Sequence, residues 1–354
     1  MFDALLTLAA AASVQVAQIP DEIRRASLPM HVEGRVDRVG ADVVRQWPGT
    51  YFETAFRGRS ALFRIGAGDV RLHVLVDGRP VQTLVKPTPG LYRVGELAPG
   101  RHVVRVEIVS ESQAGPTRFG GFFAPKGTTA APLAVRRRQI EFIGDSHTVG
   151  YGNTASKREC TQDEVWAATD TSKAFGPMLA RRYNADYQIN AISGRGVVRN
   201  YNGFQADKLP EAYPFTLFDR RTKAAVPSWH PQVVVIALGT NDFTTPLHAG
   251  ERWATRQALH ADYEATYRRL IGDLRARDPH SLIVLWATDM ANGEIEEEVS
   301  KVATSLRAAG ERISYVPVNK LSLSACHEHP SLADDTIIAG KLAAAIDTHT
   351  GTWP

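Results

Sequence analysis

Across residues 30–124 apolar and polar side chains change places over short runs, and no helical period develops. Residues 31–39, 51–56, 61–65, 70–76, 81–85 and 102–109 read as strands. The run Val103-Val104-Arg105-Val106-Glu107-Ile108-Val109 alternates in its second half, as a half-buried strand does. Asp77-Gly78 and Pro99-Gly100 mark turns between such runs. Many short strands at near-regular spacing predict a β-sandwich for this part. A linker is expected over residues 125–136, where Pro125-Lys126-Gly127-Thr128-Thr129-Ala130-Ala131-Pro132 interrupts the pattern. From 137 to 354 strand and helix patterns alternate. Strands are expected at 139–143, 187–191, 233–238, 282–287 and 313–318, with helices between them at 172–183 and 254–277. In the second helix Leu259, Tyr263, Tyr267, Leu270, Ile271 and Leu274 keep helical spacing. The last helix begins near Ser331, where Ser331-Leu332-Ala333-Asp334 reads as a capping box with Asp in place of Glu. This order predicts an α/β unit: a doubly wound parallel sheet with helices on both faces and its chemistry at the carboxyl ends of the strands.

Three of those strand ends run straight into polar turns: Gly144-Asp145-Ser146, Ser193-Gly194 and Gly239-Thr240-Asn241-Asp242. A serine on a turn at a strand end holds its hydroxyl above the sheet edge, where a base and a substrate can both reach it. Ser146 is therefore the expected nucleophile. A free serine hydroxyl attacks poorly, and His329, on a loop before the last helix and stiffened by Pro330, is the expected base. His327 is its main competitor. His147 follows the serine directly and should point elsewhere. Attack on an ester carbonyl makes an oxyanion, and each preorganised donor there contributes roughly 3–4 kcal/mol. The expected donors are the backbone N–H of Ser146, the backbone N–H of Gly194 and the side-chain amide of Asn241. Asp145 and Asp242 should brace their loops by accepting backbone hydrogen bonds.

The chain has 354 residues, a length that suits about two domains. It is 44% hydrophobic with a net charge of only +3, which argues for a globular protein and against a nucleic-acid partner. The one basic run, Arg136-Arg137-Arg138, reads as a solvated linker end. Residues 1–17 resemble a secretory signal peptide with cleavage after Ala17, although Asp3 replaces the usual basic residue; the alternative is an N-terminal helix packed on the fold. The leader reading implies a secreted or periplasmic protein. That apolar run is too short to span a bilayer, and no membrane association is expected. Cys160 and Cys326 permit one disulfide in an oxidising compartment and would be free thiols in the cytosol. His327 and His329 lack a convincing third metal ligand, and Gly194-Arg195-Gly196 lacks the further glycine of a dinucleotide loop. No metal or cofactor is expected.

The four segments Gly144-Asp145-Ser146, Ser193-Gly194-Arg195-Gly196, Gly239-Thr240-Asn241-Asp242 and His329-Pro330 together resemble the blocks of the SGNH (GDSL-type) hydrolase superfamily. More narrowly the chain resembles carbohydrate esterase family 2, through its leading β part and the segments Trp47-Pro48-Gly49-Thr50-Tyr51-Phe52-Glu53, Tyr187-Gln188-Ile189-Asn190-Ala191 and Val197-Val198-Arg199-Asn200-Tyr201. The resemblance implies a jelly-roll β-sandwich joined to a flavodoxin-like hydrolase unit of about five strands. It implies hydrolysis of acetyl esters on polysaccharides such as xylan or glucomannan, with Ser146, His329, Gly194 and Asn241 in the roles given above. One departure stands out. Many SGNH enzymes place an Asp three residues before the histidine, where this chain has Cys326. A Ser–His dyad, its imidazole oriented by a backbone carbonyl, is expected, with Glu328 as the less favoured third member. Without a carboxylate partner the activity should rise toward neutral or alkaline pH as His329 loses its proton. The rival readings are a lipase, lysophospholipase or thioesterase of the same superfamily, and a carbohydrate-binding protein whose serine is idle.

Overall fold

The computed structural model describes residues 14–21, 25–224 and 227–354. Among them, the N-terminal part forms two antiparallel sheets, one of seven strands and one of six. Their apolar faces meet in a core that includes Phe52 and Phe119, one from each sheet, stacked with ring centroids 4.1 Å apart. Gly34 splits the expected run at 31–39 into two strands, His31–Glu33 and Val36–Val39. Three strands carried no clear alternation and were not expected: Asp42–Arg45, Gly90–Gly95 and Thr117–Ala124. The last holds Gly120-Gly121, a turn signal that the fold uses as a register shift between Phe119 and Phe122.

The sheets also draw in residues on both sides of 30–124. Gln15–Ile19 pairs antiparallel with Gly90–Gly95, and Val16 is buried. A cut after Ala17 would divide this hydrogen-bonded strand, while residues 1–13 of the expected leader lie outside the described residues. Thr129–Ala130, inside the expected linker, pairs with Tyr51–Gly58. Arg136 is not solvated as expected: its guanidinium lies 2.7 Å from Glu53 and 3.0 Å from Asp186, across the joint between the two parts.

The C-terminal part is a parallel sheet of five strands: β1 (Arg138–Gly144), β2 (Ala185–Ala191), β3 (Val233–Ala237), β4 (Leu282–Thr288) and β5 (Ile313–Val318). Their spatial order is β2-β1-β3-β4-β5. Strands covered on both faces need continuous apolar runs, and β3, Val-Val-Val-Ile-Ala, is buried throughout. Helices Phe175–Tyr183 and Leu332–Asp347 pack on one face, and Arg256–Arg277 and Glu294–Ala308 on the other. All six apolar positions expected to line the long helix are buried in it. Ser331 caps the last helix through the capping box with Asp334. In this strand order the chain reverses direction across the sheet at β1, which opens a crevice at its carboxyl end.

The sandwich keeps a core of its own, but two of its side chains enter the C-terminal part. Trp47 packs into one helical layer and Tyr51 into the other. Gly49 between them has φ +68°, and a Cβ there would lie 2.6 Å from Ile189 of β2. His31, Glu33 and Asp186 also meet at this joint, with ligand-capable atoms within 4.8 Å of one another. Asp186 already accepts from Tyr51 and pairs with Arg136, which makes the group part of an ion-pair network holding the joint.

Candidate active site

Strand β1 ends at Gly144, and the chain turns at once into a single helical turn, Ser146–Val149. Asp145 caps that turn by accepting from the N–H of His147 at 3.1 Å. Ser146 is left at the first helical position, where its own N–H has no intrahelical acceptor. The hydroxyl of Ser146 lies 2.8 Å from Nε2 of His329. On the other side of that ring Nδ1 is 3.0 Å from the carbonyl oxygens of both Cys326 and His327. Carbonyl oxygens only accept, which places the ring proton on Nδ1 and leaves Nε2 with the lone pair that faces the serine.

The loop that supplies these carbonyls is tightly constrained. His327 and Glu328 both have positive φ, at +53° and +59°, a conformation that costs L-residues roughly 1–2 kcal/mol each. The surroundings hold it there. Cys326 is bonded to Cys160, 166 residues earlier in the sequence. The N–H of His327 donates to Arg158 O at 2.7 Å, and its Nε2 donates to Cys160 O at 2.7 Å. Tyr151 donates to His327 Nδ1 at 3.0 Å and lays its ring 4.3 Å from that of His329. His327 thus braces the loop, with its two ring nitrogens turned to Tyr151 and Cys160 and not to Ser146. Glu328 is exposed and faces Arg158 at 3.5 Å, turned away from the imidazole.

The other turns converge on the same point. Ile192 donates to the carbonyl of Gly144, which sets the Ser193-Gly194 turn beside Ser146. Gly194 has φ +82°, and a Cβ there would press on the Phe204 ring at 3.2 Å. Among the described residues the N–H groups of Ser146 and Gly194 donate to no other atom. Asn241 differs from expectation. Its amide nitrogen lies 3.1 Å from Asp145 Oδ2 and 2.9 Å from Arg195 O, tying the two turns together with both hydrogens engaged. Asp242 accepts from the N–H groups of Val197, Val198 and Arg199, each at 2.9 Å, and shapes the loop that follows Gly196.

Residues 32–133 match the family described as carbohydrate esterase 2 N-terminal, and residues 142–341 match the GDSL-like lipase/acylhydrolase family. An acetylxylan esterase / glucomannan deacetylase of Cellvibrio japonicus is 42% identical over 333 residues, 92% of each chain. The chain belongs to carbohydrate esterase family 2. A solved carbohydrate esterase, described as having an active site with divergent catalytic and non-catalytic binding functions, superposes with TM-score 0.88 at 40% identity, covering 93% of this chain and all 100% of its own. A family two esterase from Clostridium thermocellum in complex with cellohexaose gives TM-score 0.80 at 28% identity, over 92% and 100% of the two chains.

The esterase is a carboxylic ester hydrolase, and its site is strongly desolvated. Burial, against the help of the two carbonyls, pushes His329 down to about 4. The expected rise of activity with pH therefore moves to the acid side: the ring is already neutral well below pH 7. His147, buried edge-on against His329 with centroids 5.5 Å apart, is pushed down to about 3, chiefly by burial. Burial also pushes Asp145 up to about 7 and Asp242 up to about 6. Trp229 is buried with its indole N–H toward Glu141 at 3.4 Å, and Tyr151 leans on His329. Trp166 is partly exposed, with Lys86 5.0 Å above its ring. No motif marks the contact of Tyr151 with the His329 ring, which joins segments far apart in the chain.

Proposed function

We propose that this esterase removes O-acetyl groups from plant polysaccharides such as xylan and glucomannan, through an acetyl-enzyme on Ser146. The observation that carries the reading is the 2.8 Å contact between the Ser146 hydroxyl and the unprotonated Nε2 of His329. In the first half-reaction Ser146 Oγ attacks the acetyl carbonyl carbon while its proton passes to Nε2. The carbonyl electrons move onto oxygen, which the N–H groups of Ser146 and Gly194 receive. Asn241 joins them only by sharing a hydrogen it now gives to Asp145 or Arg195. The tetrahedral species collapses, and the sugar oxygen leaves with the proton from His329. In the second half-reaction His329 takes a proton from water as its oxygen attacks the acetyl-serine; the tetrahedral species then collapses, Ser146 Oγ leaves and takes the proton back from His329, and acetic acid is released and ionises to acetate. The carbonyls of Cys326 and His327 stabilise the imidazolium formed in each half, the part a carboxylate plays in a triad.

Ser146 is only 4% exposed, and so close a recess suits a small acyl group better than a long chain. Beside Tyr151 a cleft of about 750 Å³ runs between the two parts of the chain, lined by Glu111, Gln162, Trp166 and Lys86. Its mixed walls, with charged and amide side chains beside a single indole, suit an acetylated oligo- or polysaccharide. Action on such polymers would place the esterase outside the cytosol, secreted or periplasmic, where the Cys160–Cys326 bond persists. Among the described residues no helix is long and apolar enough to cross a membrane. The test is acetate release from acetylated xylan, acetylated glucomannan and aryl esters of increasing acyl length. The reading predicts release from the polymers, a steep fall from acetyl to octanoyl, and no release by Ser146→Ala. Activity that rises with acyl length would mean a lipase or thioesterase instead.

A further inference from the structure

Among its contacts with the catalytic unit, the N-terminal sandwich grips Ser193, the residue before Gly194. We propose that Glu111 and Gln113, on the loop after the strand Gly100–Ile108, are positioning residues for the oxyanion donor at Gly194. This inference rests on the reading of that N–H as a donor. The Gly194 N–H belongs to the peptide whose carbonyl is that of Ser193. Gln113 Nε2 donates to this Ser193 oxygen at 3.1 Å. Glu111 Oε1 accepts from the Ser193 N–H at 2.8 Å and also receives Gln113 Nε2 at 3.1 Å. A trans peptide is planar, with its C=O and N–H pointing opposite ways. Holding the Ser193 oxygen therefore aims the Gly194 N–H away from Gln113 and fixes its angle. The same hydrogen bond polarises the peptide and strengthens the N–H as a donor.

The gripping loop is itself anchored. Buried Arg45 donates to the Ser112 hydroxyl at 3.0 Å, and buried Gln46 donates to the Ser112 carbonyl at 3.2 Å. Gln46 in turn accepts from the N–H of Phe218 at 2.9 Å, closing the link back to the catalytic unit. A chain of side chains thus runs from the sandwich to the atom that meets the developing charge, and the sandwich becomes part of the catalytic apparatus. Without it the turn would keep the bonds from Tyr201 N–H to the Gly194 carbonyl, at 3.0 Å, and from Ile192 N–H to Gly144, but no other donor among the described residues would hold the Ser193 oxygen.

The test compares kcat and KM on 4-nitrophenyl acetate for Glu111→Ala, Gln113→Ala and Glu111→Gln. The proposal predicts that kcat falls about tenfold in each alanine variant, with KM within about twofold, because the lost interaction acts in the transition state. Glu111→Gln, whose side-chain carbonyl still accepts from Ser193, should keep at least about half of the wild-type kcat. Wild-type kcat in both alanine variants would overturn the proposal, as would a rise in KM at unchanged kcat, which would mark substrate contact. Gln113 is exposed, so Gln113→Ala carries the test if Glu111→Ala fails to fold. Ser146→Ala, assayed beside them, separates the two levels. If it is inert while Gln113→Ala runs at the wild-type rate, only the positioning role fails. If it is active, the serine mechanism fails with it.

Discussion

Ser146 and His329, the proposed nucleophile and base, reach the same point by opposite means. Ser146 is placed locally: β1 ends, Asp145 caps its own turn from two residues away, and the hydroxyl stands at the sheet edge. His329 is placed at long range. The carbonyls that orient its ring lie two and three residues away, but they stay in position because a disulfide, Tyr151 and the 158–160 segment hold a left-handed turn. Arg158 adds to this by donating to the carbonyls of Ser322 and Leu323, at 2.9 and 3.0 Å. A strand-and-turn pattern is enough to set a nucleophile. A base without a carboxylate partner borrows its rigidity from a distant part of the chain.

The largest effect should come from deleting either member of the pair. Ser146→Ala and His329→Ala should each lower kcat/KM for an aryl acetate by at least about 10⁴-fold with melting temperatures near wild type. A loss of less than about tenfold in either would remove that residue from the chemistry. The contrast itself is broken by the double variant Cys160→Ser/Cys326→Ser. Opening a loop of this length should lower unfolding free energy by about 2–5 kcal/mol in denaturant titration. At 25 °C kcat should also fall about tenfold as the histidine turn relaxes; full activity in a folded double variant would show that the turn holds itself.

Smaller changes sharpen the picture. Tyr151→Phe removes one hydrogen bond to His327 but keeps the ring against His329, and kcat should fall only about two- to fivefold. Tyr151→Ala should cost more, and equal losses would mean that the ring contact contributes nothing. Glu328→Gln should change kcat by less than about twofold, because an exposed side chain facing Arg158 does not support the imidazole. A larger loss would restore the triad.

Much of this was legible in the sequence, and the exceptions have a common cause. Period identified the five parallel strands and the long helix, since burial on one stripe or on both faces leaves a residue-by-residue record. The turns at 144–146, 193–194 and 239–242 were legible because each follows a strand directly. The edge strand Gln15–Ile19 was hidden in an alanine-rich start, and Arg136 in a basic run, since composition does not say what lies across a joint. Asn241 was read as an oxyanion donor, but its two hydrogens are taken by Asp145 and by Arg195, the second a main-chain acceptor no motif encodes. Tyr151, Glu111 and Gln113 act through contacts between segments far apart in the chain, and such contacts leave no local pattern.

The most direct measurement is the pH dependence of kcat/KM for an aryl acetate, taken over the range in which the protein stays folded by circular dichroism. His329 must be neutral to accept the serine proton, and a folded pKa below the ordinary histidine value moves the gain of activity to lower pH. The account predicts a single rising limb centred near about 4 and a plateau through neutrality. A limb centred at or above about 6.5, the value of an unburied imidazole, would contradict a ring desolvated between Tyr151 and His147 and held by carbonyls alone.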